Sequence, residues 1–424
     1  MTRRRSTGDN GGRTDRGDDV AAAGSANESL SVLAFTSHRP AELVEPLRET
    51  DLDVDVVEID GGESLPARAL AAVRRTRASI RTTNPDVILL DCYEAMGALV
   101  ALLAMRYDVP IVARLVGDTW QRFENAIRDA RSNGDYHRAL IYRGILAVDE
   151  FAFDRAVGFV VVSAQLGEVV RRRTGCPPER IGIVPVPDTG AAGEPTSHED
   201  GDGPSERDGP DDTDESSGTE PSSPPRERFD IDSDRILLTV TNLKYRAKYR
   251  GVTTAVSELE SVLERRPDTA YVVAGGGEYA GKLESRLDAL VTDPDVRDRI
   301  HAVGYVTDVA SLYEIADVFV YVSYLDGYPR VVLEAQRAGV PVVANDAFGM
   351  REQIVDGESG FLVDLGATGQ LAGRVEFLLE NDEDRREHGR RGRERVASEN
   401  SPSAVGERLE AFVRTLHEDH SRDR

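Results

Sequence analysis

Apolar residues in this chain fall into short unbroken runs, separated by longer segments in which they recur every three to four positions. Leu30–Thr36 (LSVLAFT), Val54–Ile59, Val87–Leu90 and Ile111–Val116 are runs of strand length. The last two open behind Asn84-Pro85 and Val109-Pro110. Helical periodicity predicts helices over Leu43–Arg48, Leu65–Thr82 and Ala95–Met105 between them. A strand at Phe159–Ser163, a helix at Ala164–Arg173 and a strand at Ile181–Val184 continue the series. A second unit repeats it. Its strands are expected at Arg235–Thr241, Ala270–Ala274, Ala302–Tyr305, Val318–Val322 and Val340–Ala344. Its helices are expected at Val252–Arg265, Tyr279–Leu290, Val309–Ala316 and Arg330–Ala338. Strand and helix in alternation predict a parallel sheet covered on both faces. Two such αβα units predict an α/β chain of two lobes facing a cleft. Helices over Gly369–Glu380, Glu383–Ser398 and Ala404–His417 complete the second lobe or cross back over it.

Two stretches break the pattern. Residues 1–29 have no periodic apolar positions and read as a disordered tail. Residues 191–226 hold eleven acidic and two basic residues among many Pro, Ser and Gly. They read as a solvated linker. The expected organisation is a tail over 1–29, a first lobe over 30–188, and an acidic disordered linker over 189–230. A second lobe follows over 231–398, then a C-terminal helix and tail over 399–424.

The length of 424 residues suits two lobes. Cys92 and Cys176, the two cysteines, support neither a disulfide framework nor a zinc site. A net charge of -24 excludes nucleic acid as a partner for the surface at large. Lys244, Lys248 and Lys282 are the three lysines among 52 basic residues. An acidic, arginine-rich, lysine-poor chain is expected of an organism with high internal salt, such as a haloarchaeon. No apolar run has transmembrane length, and no apolar core follows Arg3-Arg4-Arg5, so a cytoplasmic protein is expected. The helix over Leu65–Thr82 carries five arginines and no acid. It is either a solvated basic face or a peripheral contact with the inner face of the membrane.

The richest stretch is Tyr321–Asn345, YVSYLDGYPRVVLEAQRAGVPVVAN. A strand ends near Val322, and a helix starts near Arg330. Gly327 permits a tight turn, and Pro329 favours the first helical turn. Asp326 and Glu334 would then face the C-terminal end of the sheet, where α/β folds bind ligands. The helix N-terminus suits a diphosphate. A solvated helix start is the plainer reading of the acidic pair.

These residues resemble the signature of glycosyltransferase family 4, two acidic residues separated by seven. Here it reads Asp326-Gly327-Tyr328-Pro329 followed by Leu333-Glu334-Ala335. The similarity extends through Gly339–Ala344, Glu352–Val363, Tyr271–Glu278 and Ala302–Asp317, and into the first lobe at Val160–Pro187. The resemblance implies the GT-B fold, with an acceptor-side first lobe and a second lobe that holds a nucleotide diphosphate sugar. It implies transfer with retention at the anomeric carbon, without metal or other cofactor, to a glycan or lipid-linked acceptor. Glu334 then holds the donor ribose and Asp326 faces the donor sugar. Backbone N–H groups around Gly327 to Val331, a stretch that includes Tyr328, Pro329 and Arg330, approach the diphosphate.

The family places cations on the loop after the first strand of the second lobe. Here that loop is Thr241–Gly251, TNLKYRAKYRG, with Asn242 where Arg is usual. Two of the three lysines lie on it. Lys248, then Arg250, are the candidates to neutralise the leaving diphosphate, with ordinary surface charge as the alternative. Asp118, in VGDTW, either positions the sugar or acceptor or caps a helix. Gly276, in Gly275-Gly276-Gly277, and Tyr305 are further donor-side candidates. Gly276 is equally a strand-to-helix turn. The family's glycine-rich loop after the first strand is replaced by Thr36-Ser37-His38-Arg39-Pro40. Two rivals stay open: a two-lobed nucleotide-sugar 2-epimerase, and a non-catalytic subunit that binds a sugar nucleotide.

Overall fold

The computed structural model describes residues 29–36, 39–59, 64–91, 94–190 and 224–422. Nearly all of the expected tail, the body of the acidic linker and His38 lie outside them. The first lobe contains strands β1 (Ser31–Thr36), β2 (Asp53–Glu58), β3 (Val87–Asp91), β4 (Ile111–Leu115), β5 (Ala156–Val161) and β6 (Ile181–Ile183). They form one parallel sheet in the order β2-β1-β3-β4-β5-β6. The second lobe contains β7 (Arg235–Val240), β8 (Thr269–Ala274), β9 (Ile300–Gly304), β10 (Val318–Tyr321), β11 (Val342–Asn345) and β12 (Gly360–Val363). These are also parallel, in the order β12-β11-β10-β7-β8-β9. The inner strands β3, β4, β8 and β10 are buried at every residue. Helices on both faces demand such continuous apolar runs.

Both sheets reverse their winding at one point. In the first lobe β1 lies between β2 and β3; in the second β7 lies beside β10. Crevices open where successive crossovers part, beyond the carboxyl ends of those strands. The carboxyl ends of β1, β7 and β10 therefore border the cleft.

The structure departs from the sequence reading at several places. The helix expected from Val252 begins at Arg246 and runs to Arg265, so Lys248 and Arg250 lie on its first turns and not on a loop. The segment between Asp118 and Asp154 forms two helices, Thr119–Ser132 and Tyr136–Phe153. The carboxylates of Asp118 and Asp135 accept the backbone N–H groups of Gln121 and Arg138, each at 2.9 Å. These caps set the helix starts. Order after the linker begins before residue 231, with the short helix Pro225–Arg228 held by an Arg226 bond to the Ser233 carbonyl.

The last helix, Pro402–Arg422, leaves the second lobe altogether and packs on the first. Val405, Leu409, Val413 and Leu416 join Leu43 and Leu47 in one apolar cluster. Glycines allow the approach: a Cβ on Gly406 would overlap the Pro46 carbonyl, and one on Gly158 the Leu416 side chain. The first lobe is thus completed by the end of the chain.

Candidate functional site

The site assembles where β10 ends. Tyr321 is the last residue of β10, and Ser323 follows it into the loop. Asn345, at the end of neighbouring β11, accepts the Ser323 N–H at 2.9 Å and donates to the Ser323 carbonyl at 3.0 Å. This buried clamp fixes the start of the loop. Ser323 Oγ then donates to Asp326 Oδ2 at 2.6 Å, and Tyr321 Oη donates to the same oxygen at 2.5 Å. Lys248 Nζ pairs with Asp326 Oδ2 and lies 2.7 Å from Tyr321 Oη. Burial pushes the Asp326 carboxyl up, but the Lys248 ammonium and the three hydrogen bonds outweigh it and hold the carboxyl below its ordinary value. Burial and the Asp326 charge drive the Tyr321 phenol far above its ordinary range, so it stays a donor.

Lys248 reaches this point because its helix packs tightly against β10. A Cβ on Gly251 would overlap the Val322 carbonyl. The helix start carries Arg246, Lys248 and Arg250 and no acid in its first turn. Cations at the positive end of a helix dipole repel it, and a bound anion removes that cost. Arg250 diverges from Lys248: it is exposed, with its guanidinium carbon 4.3 Å from the centre of the Tyr324 ring.

Glu334 lies inside the helix Arg330–Ala338 and accepts a hydrogen bond from Tyr313 Oη at 3.0 Å. Pro329 is the N-cap of this helix rather than its first residue, and its carbonyl accepts from Gln353 Nε2 at 2.9 Å. Tyr328 is buried among Trp120, Phe159 and Val186 of the first lobe, and its hydroxyl accepts from Asn400 Nδ2 at 2.9 Å. Its side chain is committed to packing, and its backbone remains to meet a ligand.

The glycine turn is a structural clamp. Gly275 and Gly277 hold positive φ of 157° and 135°, and side chains there would overlap the Thr241 carbonyl and the Leu243–Lys244 backbone. Leu243 N–H donates to the Gly276 carbonyl at 2.8 Å. Asn242 Oδ1 accepts the Lys244 N–H at 2.8 Å and shapes the same loop. Tyr305 is exposed, and its Cβ lies 3.1 Å from where a Gly276 Cβ would stand.

The lobes meet at this site. A Cβ on Gly327 would overlap the Val116 carbonyl and lie 3.0 Å from the Gly117 Cα, which places the loop of Asp118 against that of Asp326. Burial raises the Asp118 carboxyl above its ordinary value, against the pull of the Gln121 N–H. Arg330 Nη1 crosses to Glu42 Oε1 at 2.7 Å. Glu42 also pairs with Arg39 at 3.2 Å and with Arg114 at 3.8 Å, and Arg114 pairs with Asp91 at 3.0 Å. Glu42, Asp91 and Arg114 are buried. Sequence reasoning passed over this network and over Tyr321, Ser323 and Asn345. One signal was available: Asp91 and Arg114 are charges at or inside apolar strands, and buried charges need partners.

Two family models match the chain, "Glycosyl transferase 4-like domain" over residues 16–187 and "Glycosyl transferases group 1" over residues 225–395. The capsular polysaccharide biosynthesis glycosyltransferase CapM of Staphylococcus aureus is 30% identical over 171 residues, 40% of this chain and 44% of that protein. The chain spans less than half the length of the curated relatives it matches. Among solved structures, Anabaena HepE in complex with UDP-glucose matches with a TM-score of 0.61 at 15% identity, over 91% of this chain and all of that one. Sucrose-phosphate synthase from Thermosynechococcus elongatus matches with the same TM-score at 17% identity, over 91% of this chain and 99% of that one. These likenesses establish the GT-B fold. With one model on each lobe and the acidic signature on the loop after β10, the chain belongs to the group 1 glycosyl transferases.

Proposed function

We propose that this protein transfers a sugar from a nucleotide diphosphate sugar to a hydroxyl of a glycan or glycolipid, with retention at the anomeric carbon. The pairing of Lys248 with Asp326 at the crevice between β7 and β10 carries this reading. The bond between the anomeric carbon and the β-phosphate oxygen breaks, a bond to the acceptor oxygen forms, and the acceptor's proton passes to the departing diphosphate. Negative charge grows on the departing diphosphate. Lys248 and the N-terminus of its helix stand where that charge develops, which lowers the barrier. Arg250, on the same helix, adds a more distant cation. Asp326 faces the donor sugar, and Glu334 accepts from the ribose hydroxyls. The backbone from Gly327 to Val331 approaches the diphosphate, with Gly276, Asn242 and Tyr305 bordering the nucleotide. Asp118 lines the acceptor side. No metal takes part. A lipid-linked acceptor places the first lobe at the inner face of the membrane, and none of the described helices is long and apolar enough to cross it.

The test is isothermal titration of UDP, GDP, ADP and dTDP into the protein in high-potassium buffer containing EDTA. One nucleotide is expected to bind saturably, and Glu334→Ala is expected to lose it. Failure of the folded protein to bind any of them overturns the donor site. Binding without transfer to any hydroxyl acceptor overturns the transferase reading in favour of a binding subunit.

A further inference from the structure

Three helices lie side by side on one face of the first sheet: Leu65–Thr83, Glu94–Tyr107 and Tyr136–Phe153. Their inner sides build the core through Ala72, Ile80, Met96, Val100 and Ala152. Their outer sides differ from the rest of the molecule. Of the eight large hydrophobic side chains exposed among the described residues, five lie on these helices. They are Leu70, Leu102, Met105, Tyr136 and Leu140, each between 50% and 72% exposed.

Charge on this face is equally uneven. The middle helix carries no charged residue from Ala95 to Met105, and Arg106 follows. On the first helix Leu70, Arg74, Arg77 and Arg81 recur at intervals of four, three and four, which places them on one stripe. All four are exposed, and the helix has no acid. Arg155, just past the third helix, brings its Nε to 3.0 Å from Met105 Sδ. In a chain of net charge -24, an apolar strip bordered by arginines inverts the prevailing sign. A solvated basic face accounts for the arginines and leaves Leu102 and Met105 without a reason. A lipid surface accounts for both, because it offers hydrocarbon and phosphate side by side over any length.

We propose that this three-helix face docks the protein on an anionic lipid bilayer. The apolar side chains enter the boundary between headgroups and acyl chains, and the arginines contact lipid phosphates. The first two helices follow β2 and β3, so their N-termini lie at the cleft end of the sheet. The proposal does not depend on the donor site.

The test is flotation of the full chain with phosphatidylcholine vesicles and with vesicles that also contain phosphatidylglycerol. The protein is expected to float with the anionic vesicles alone. Arg74→Glu/Arg77→Glu/Arg81→Glu is expected to lower partition about 100-fold. Leu102→Asp/Met105→Asp is expected to abolish flotation while the melting temperature and circular dichroism stay those of the parent, since these side chains are exposed. Three results overturn the proposal: no flotation with either vesicle, flotation unchanged in both variants, or a dimer that Leu102→Asp/Met105→Asp dissociates in a parent that does not float. The last assigns the face to a second copy of the chain.

Discussion

Asp326 shows how one carboxylate is kept charged in a site that would rather neutralise it. Two hydroxyls and one ammonium converge on its Oδ2, and together they overcome burial. The folded group titrates below its ordinary value of 3.8. Its stabilisation is therefore complete above the unfolded value and is lost as pH falls through the folded one. Asp326→Asn is expected to destabilise the protein by about 3–5 kcal/mol at neutral pH, because it strands the Lys248 charge. That deficit should shrink as pH falls below 3.8, and urea denaturation across the acid range measures it. An unchanged deficit in acid would show that the ion pair is not its source. Lys248→Met is expected to lower turnover by about 10²–10³. Lys248 was legible in the sequence because lysine is rare in this chain. Tyr321 and Ser323 were not, because a tyrosine and a serine at a strand end carry no mark until the loop folds back on them.

At the scale of the element, the helix Arg246–Arg265 aims the cation. Its packing depends on a glycine with ordinary backbone angles, chosen for closeness and not for conformational freedom. Gly251→Ala would drive a methyl into the Val322 carbonyl. We expect a loss of about 1–3 kcal/mol, measured by urea denaturation, together with loss of turnover as Lys248 shifts. Gly281, also helical, has nothing within 4 Å of a built Cβ. Gly281→Ala is expected to stabilise by about 0.4–1 kcal/mol in the same assay. Element types were readable from periodicity alone. Boundaries failed where capping decided them: Tyr245 starts the helix without a side-chain cap bond, so no Ser, Thr, Asp or Asn announced it. The helices after Asp118 escaped notice because their aromatics look scattered until Trp120 is seen packed on Phe153 and Phe123 on Tyr142.

At the scale of the molecule, the lobes are joined by contacts that touch the site itself. Gly327 abuts the backbone of Val116 and Gly117, and four residues earlier in its loop stands Ser323. Arg330, three residues after Gly327, crosses to Glu42. A movement of the lobes would therefore shift Asp326 through one loop and helix. Gly327→Ala is expected to hold the lobes apart, with a larger radius of gyration by small-angle scattering and a melting temperature within a few degrees of the parent. A parent-like scattering profile would mean that the loop yields instead. Arg330→Gln should weaken closure less, because Glu42 keeps Arg39 and Arg114 as partners.

Periodicity along the chain determined the alternation of strands and helices, hence two parallel sheets with crevices at their carboxyl ends. The spacing of Asp326 and Glu334 around Gly327 and Pro329 marked the crevice proposed here to carry the chemistry. These are local properties: side-chain period, turn chemistry and helix starts need only near neighbours in sequence. Tertiary structure alone decided that Asn345 clamps Ser323, that Glu42 meets Arg330 across 288 residues, and that the last helix completes the first lobe. Each joins residues remote in the chain, and their pairing follows from how twisted sheets stack and close, which no local window contains.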